Sequence, residues 1–170
     1  MESQKFISFS NIYNNHKKPV YHYALKMVQS SMTAEDIVQN VFMKLFEKMD
    51  SIKSFESVRY WLLKTARNEV YSYFRKTKNR KEEALEANEE TLIESNLGNE
   101  IEEKEVQEMV RNEIDLLPAE LREIFALREY SELSYEEIGQ IVGLSKEIIK
   151  SRLFTIRQKL IKNVAKKIGV

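Results

Sequence analysis

Two basic stretches carry the side chains in this chain best suited to chemistry, and the chemistry they suit is the binding of a polyanion. Between Lys64 and Lys81 there are seven Lys or Arg against Glu69 alone, with Asn68 and Tyr71 interleaved. From Ser145 to Val170 there are eight against Glu147, with Ser151 and Phe154 among them. Cations hold phosphates while ring faces and amides hold bases, so the first stretch suits single-stranded nucleic acid. Covalent chemistry has no comparable constellation. The absence of cysteine removes thiol nucleophiles, disulfides and zinc ribbons, and His16 and His22 lie six apart rather than at helical metal-ligand spacing. Carboxylate pairs such as Glu136 and Glu137 read as capping or surface residues, and no Gly-rich phosphate loop is present. The expectation is a binding protein, not an enzyme, with no metal and no cofactor.

The elements that must position these residues are helices. The chain of 170 residues is 42% hydrophobic and 32% charged with only 4 Gly and 2 Pro, too few turn residues for sandwiches or barrels. The fold class expected is all-α, as two small helical domains joined by an acidic linker. Charge marks the division. Lys and Arg against Asp and Glu count 14 to 7 over residues 1–80, 3 to 13 over 81–116 and 10 to 7 over 117–170, so a net charge of zero conceals +7, −10 and +3. The expected boundaries are 1–81, an acidic linker at 82–104, and 105–170. No run approaches the ~20 apolar residues of a membrane span and the amino terminus lacks a leader pattern, so a cytoplasmic location without membrane insertion is expected.

Within the first module, two helices are expected to break near Lys18 and Pro19, because proline disrupts helix interiors. Thr33, followed by Glu35 and Asp36, reads as an N-cap. The helix it opens carries Ile37, Val38, Val41, Phe42, Leu45, Phe46 and Met49 on one apolar stripe. Asp36, Gln39, Asn40, Met43 and Glu47 lie opposite, where an exposed methionine suits a partner surface. Asp50 to Ser57 reads as a loop holding Ile52 and Phe55. A further helix is expected over about 58–78, with Leu63, Ala66, Val70 and Phe74 inward and Lys64, Arg67, Asn68, Tyr71, Arg75 and Lys78 on or near the outer side. Trp61 reads as core.

The strongest local pattern lies in the second module. A helix follows Pro118, Ser134 with Glu137 forms a capping box, and Gly143 suits the left-handed position that ends a short helix. Ser145 then caps a helix whose apolar residues Ile149, Leu153, Ile156 and Leu160 recur at four, three and four. Glu147, Lys150, Ser151, Phe154 and Gln158 fall on its outer side. A short helix, a glycine turn and a capped basic helix make a helix-turn-helix, whose second helix reads the major groove.

With these residues in place, the chain resembles the extracytoplasmic-function (group 4) sigma factors of the sigma-70 family. The resemblance runs through four segments in order: 34–42, similar to AEDLVQExF with Asn40 where Glu is usual; 60–68, similar to AWLxxIARN; 133–139, similar to LSYEEIA; and 149–153, similar to VKSRL. It implies an RNA polymerase specificity subunit that directs initiation at a promoter set. By resemblance, Asp36, Gln39, Asn40, Met43 and Glu47 dock on the β′ clamp helices of the bacterial RNA polymerase core, with further contact to the β subunit. Ile52, Arg67, Asn68, Tyr71, Arg75 and Lys76 handle the opened −10 promoter DNA, with Ile52 and Asn68 at an extruded base. Arg128, Lys146, Lys150, Ser151 and Phe154 serve the −35 duplex, with Arg128 on phosphate. The linker follows the polymerase RNA path, and an anti-sigma factor or other recruiting protein is an expected regulator. Departures are Ser72 where Asp is frequent, Glu147 where a small residue is usual, and Thr155 where Arg is frequent; the last two weaken the expected −35 grip. The alternative is a helix-turn-helix regulator acting on duplex alone, which leaves the Asp36 to Glu47 face and the basic-aromatic helix without work.

Overall fold

The computed structural model describes residues 2–52, 54, 56–83 and 103–170. Most of the expected linker, 84–102, lies outside them, as do Lys53 and Phe55. Among the described residues the regular structure is entirely helical: α1 (Glu2–Val28), α2 (Ser31–Lys48), a 3-10 turn (Met49–Ser51), α3 (Glu56–Glu83), α4 (Glu103–Asp115), α5 (Ala119–Glu129), α6 (Tyr135–Val142) and α7 (Lys146–Ile168).

The expected break at Pro19 does not occur: α1 runs through it. An interior proline costs about 3 kcal/mol. Ile12, Val20, Tyr23, Ala24 and Met27 are all buried along one stripe that continues past Pro19, and each large apolar side chain buried contributes about 1.5–3 kcal/mol. Tertiary burial therefore outweighs the local penalty.

The cap of α2 also differs from expectation. Ser30 is the N-cap, its hydroxyl accepting from the Thr33 amide at 3.3 Å, so Glu35 and Asp36 fall beyond the first turn. Ala34, Ile37, Val38, Val41, Phe42 and Leu45 are buried as the periodicity requires. Phe46, expected on that stripe, is 43% exposed. The stripe is narrower than the apolar run because α1 covers only part of it. Helix α3 spans Glu56–Glu83, wider than 58–78 at both ends, and buries Val58, Leu62, Leu63, Ala66 and Val70. Trp61 is half-buried against this core.

Local chemistry builds the second helical group as its sequence indicates. The Ser134 hydroxyl accepts from the Glu137 amide at 3.1 Å while Glu137 Oε2 accepts from the Ser134 amide at 2.8 Å. Gly143 takes φ +75, which an L side chain adopts only with strain, and the chain then turns into the Ser145 cap of α7. Gly139 stands where the resemblance has alanine; a Cβ there would collide with the Leu144 carbonyl oxygen.

The two groups do not stand apart. One hydrophobic cluster runs from α1, α2 and α3 into Ile124, Ala126 and Leu127 of α5, Leu133, Ile138 and Ile141 around α6, and Ile149 and Leu153 of α7. A smaller cluster of Ile114, Leu117, Phe125, Ile156 and Leu160 seats α4 against α5 and α7. The packing of α1 on α5 closes the seam between the groups.

Candidate docking and nucleic-acid interfaces

Three surfaces collect the candidate residues. The first is a groove of about 750 Å³ between α1 and α2. Asp36, Gln39, Met43 and Glu47 line it, while Asn40 is exposed on the same helix outside the lining. Met43 is 58% exposed, as a contact face on α2 requires. Its other wall was not legible as a site: Phe6, Phe9 and Tyr13 come from α1. Phe9 meets Phe46 and Phe42 edge-on at 5.3 and 6.3 Å, and Tyr13 meets Phe42 at 4.9 Å. Lys5 and Lys17 each lie 5.2 Å from a ring centroid, over Phe46 and Tyr13. The spacing of Phe6, Phe9 and Tyr13, three then four, was the available signal. The result is an aromatic trough with a mixed-charge rim, suited to a partner helix carrying apolar and charged residues.

The second surface is α3. Asn68, Arg75 and Lys76 are exposed along it. Ile52 is half-buried against the core beside the start of the helix. Arg67 and Tyr71, expected outward on nucleic acid, are instead turned onto Glu123 of α5. Arg67 Nε donates to Glu123 Oε1 at 2.7 Å and the Tyr71 hydroxyl to Oε2 at 2.8 Å. The Tyr23 hydroxyl, fully buried on α1, donates to Oε1 at 3.0 Å. The Arg67 guanidinium also lies 4.6 Å from the centroid of the Tyr71 ring.

Glu123 is 2% exposed. Its sequence carried no signal, because a glutamate between apolar positions of an amphipathic helix ordinarily reads as solvated; its three donors come from other helices. Burial raises the Tyr71 phenol, and the hydrogen bond to Glu123 and that group's charge push it further, to about 12. Tyr23 is raised well above its ordinary value by burial first and then by Glu123. For Arg67 burial opposes the charge, but Glu123 outweighs it and the guanidinium rises.

Further polar bonds cross the same seam. Lys26 Nζ meets Asp115 Oδ1 at 3.1 Å, Gln29 Nε2 donates to the Asp115 carbonyl at 3.1 Å, and buried Arg122 reaches the Met27 carbonyl at 3.4 Å.

The third surface is the outer side of α7. Lys146, Lys150, Ser151 and Phe154 are all exposed, Phe154 at 65%, and Glu147 and Gln158 share the face. The Ser145 cap and the left-handed turn at Gly143 set the start of α7 and leave Lys150 and Ser151 exposed in its first two turns. Arg128 points elsewhere: Nη1 donates to the Leu133 carbonyl at 2.7 Å, and the guanidinium lies 4.8 Å from the Tyr135 ring centroid. It braces the entry to α6. Among the described residues no cluster of His, Cys, Asp and Glu could hold a metal ion, and no helix is long and apolar enough to cross a membrane.

Comparison with known proteins places the chain in a family. The Sigma-70 region 2 model matches residues 12–80, and the Sigma-70, region 4 model matches 107–160. The chain is 31% identical over 158 residues to the ECF RNA polymerase sigma factor SigM of Bacillus subtilis (strain 168), covering 91% of this chain and 93% of that one. It is 33% identical over 132 residues to the ECF RNA polymerase sigma-E factor of Escherichia coli (strain K12), covering 72% and 69%. Among solved structures it is similar to the sigma factor RpoE of Bartonella quintana in complex with the anti-sigma factor NepR, with TM-score 0.75, 25% identity, and coverage of 92% and 96%. The likeness to CnrH in complex with the cytosolic domain of CnrY, at TM-score 0.62 and 19% identity, concerns the fold alone.

Proposed function

The chain belongs to the sigma-70 family as an extracytoplasmic-function RNA polymerase sigma factor, and from that premise we propose how its surfaces divide the work of initiation. The groove between α1 and α2 takes the clamp helices of the polymerase core through Asp36, Gln39, Met43 and Glu47, with Asn40 contributing from the exposed side of α2 beside it. The exposed part of α3, with Asn68, Arg75 and Lys76, engages the opened −10 strand beside Ile52, and Arg67 and Tyr71 join it when released from Glu123. The outer face of α7, with Lys146, Lys150, Ser151 and Phe154, reads the −35 duplex; Arg128, in the last turn of α5, supports that face through the Leu133 carbonyl before α6. Residues 1–81 and 105–170 are the two working modules and 82–104 their acidic connector. The protein positions polymerase and does no covalent chemistry of its own, and it works in the cytoplasm, where the polymerase acts.

The observation that carries this reading is the groove. A helix-turn-helix regulator binding duplex alone needs only α5, α6 and α7; it has no use for an aromatic trough whose exposed methionine and carboxylates sit more than one helix away from the DNA-reading face. An anti-sigma factor is the regulator this reading favours, since the Bartonella relative is held by one.

The test is reconstitution. Core polymerase supplied with this protein should initiate at a restricted set of start sites, mapped by sequencing the transcripts. Gln39→Ala with Asn40→Ala should weaken association with core while leaving helicity and melting unchanged, because both side chains are exposed. A double variant that competes normally for core removes the docking assignment.

A further inference from the structure

We infer that Arg157, Glu129 and Tyr135 form a polar clasp that sets the rotation of α7 about its own axis, and with it which base edges Lys150 and Ser151 reach. The inference rests on the reading of α7 as the duplex-reading helix and deepens it, to what aims that helix.

The inward side of α7 cannot aim it alone. Ile149, Leu153, Ile156 and Leu160 are buried against its neighbours, but apolar burial is non-directional and fixes the depth of a helix better than its rotation. A hydrogen bond to a base edge weakens steeply once its angle falls below about 120°, so a reading helix needs a contact that resists turning. Arg157 supplies one. Its Nη2 donates to Glu129 Oε1 at 2.6 Å, and the guanidinium bonds to the Tyr135 hydroxyl as well. Glu129 is the last residue of α5 and Tyr135 the first of α6, so one side chain of α7 is tied to both ends of the turn between them. That turn is braced in its own right. The Arg128 guanidinium lies 4.8 Å from the centroid of the Tyr135 ring while its Nη1 donates to the Leu133 carbonyl at 2.7 Å.

Arg157 stands two turns beyond Lys150 on nearly the same side of the helix. Unpaired there, it would be one more cation for a phosphate; paired with Glu129, its charge toward DNA is largely cancelled and what remains is direction. The pair adds little to stability, because the Arg157 and Glu129 side chains are 43% and 39% exposed. Arg157, Glu129 and Tyr135 are therefore positioning residues, whose loss falls on base discrimination before it falls on folding or on total affinity.

The test uses holoenzyme and two duplexes that share a −10 element, taken from a promoter found by the reconstitution above; one carries the native upstream element and the other a scrambled one. The ratio of the two affinities is read by gel shift. Tyr135→Phe keeps the ring beside Arg128 and every charge in place. It should lower the ratio roughly fivefold, the low end of what one base contact discriminates. Affinity for the scrambled duplex, its salt dependence and the melting temperature should not change. Arg157→Lys, also at constant charge, should lower the ratio likewise. Glu129→Gln removes an acid from a DNA-binding module, so charge alone would tighten binding to both duplexes equally, whereas the clasp requires the ratio to fall. An unchanged ratio in Tyr135→Phe and Glu129→Gln overturns the clasp, as does equal weakening on both duplexes. If Lys150→Ala with Ser151→Ala also leaves the ratio at its wild-type value, the reading of α7 as the duplex-reading helix falls instead, and the clasp with it.

Discussion

Replacing Tyr23 by phenylalanine removes one oxygen from the centre of the molecule, and its cost can be worked out from three distances. The hydroxyl is fully buried and donates to Glu123 Oε1. After its removal Oε1 keeps the Arg67 bond and Oε2 keeps the Tyr71 bond. No carboxylate oxygen is orphaned, and the phenyl ring occupies the same space, so no cavity or abandoned-partner cost is added. What is lost is one hydrogen bond to a charged acceptor, about 1.5–3 kcal/mol. At about 1.4 kcal/mol per factor of ten, the ratio of folded to unfolded molecules should fall roughly ten- to hundredfold. Urea unfolding followed by circular dichroism should show a lowered midpoint. Alkali supplies a second axis. Tyr23 and Tyr71 titrate above the ordinary phenol value in the folded form, so their contribution is complete below about pH 10. It is lost as pH rises, for Tyr71 through about 12. Tyr23→Phe should therefore flatten the loss of stability in alkali. A variant with the wild-type urea midpoint and the wild-type alkaline slope refutes the energetic role given to this hydroxyl.

Three other perturbations address the remaining surfaces. Lys150→Ala should weaken holoenzyme binding to duplex carrying the upstream element by about 1–3 kcal/mol and relax selection at one base pair; equal weakening on every sequence in a gel-shift series would make Lys150 a phosphate contact only. Asn68→Ala should leave the closed complex intact and lower strand opening in permanganate footprints, with rescue on a template already mismatched at the −10 element, since unstacking costs a few kcal/mol; undiminished opening of the matched template would move the base-capture role off Asn68. In the α4 to α7 packing, hydrogen bonds from Lys167 and then Asn163 hold the Glu113 carboxyl below the usual carboxylate range. A depressed carboxylate stabilises above its unfolded value and loses that contribution as pH falls through the folded one, so Lys167→Met should shrink the difference in melting temperature between pH 7 and about pH 3; an unchanged difference would show the pair to be without energetic weight.

In the second helical group, local chemistry that is complete within a few residues was legible from sequence, whereas the cap of α2 fell on Ser30 and not on the expected Thr33. The capping box of Ser134 and Glu137, the left-handed Gly143 and the cap at Ser145 each satisfy backbone groups with side chains one turn away, so the helix-turn-helix needed no tertiary information. The four-three-four spacing of Ile149, Leu153, Ile156 and Leu160 placed the inward side of α7, and with it the exposed positions of Lys150, Ser151 and Phe154. The same reasoning separated Met43 from the stripe of α2. Even the family resemblance rests on such segments, since each motif lies within one helix or one turn.

Everything that depended on which helix covers which was decided only in three dimensions. Pro19 stays inside α1 because a continuous buried stripe outweighs a missing amide, and the stripe exists only once α2, α3 and α5 have packed on it. Phe46 is left half-open because α1 ends its cover there, turning an expected core residue into the wall of a groove. Glu123, Arg67 and Tyr71 are the sharpest case. Their separations of 56 and 52 residues carry no periodic signal, and charge patterning along α3 made Arg67 and Tyr71 look solvent-facing. Periodicity reports the side of a helix that turns inward, whereas the partner of a buried charge is fixed by long-range packing, and so the sequence by itself determined the helices and their faces while the tertiary structure alone determined what those faces meet.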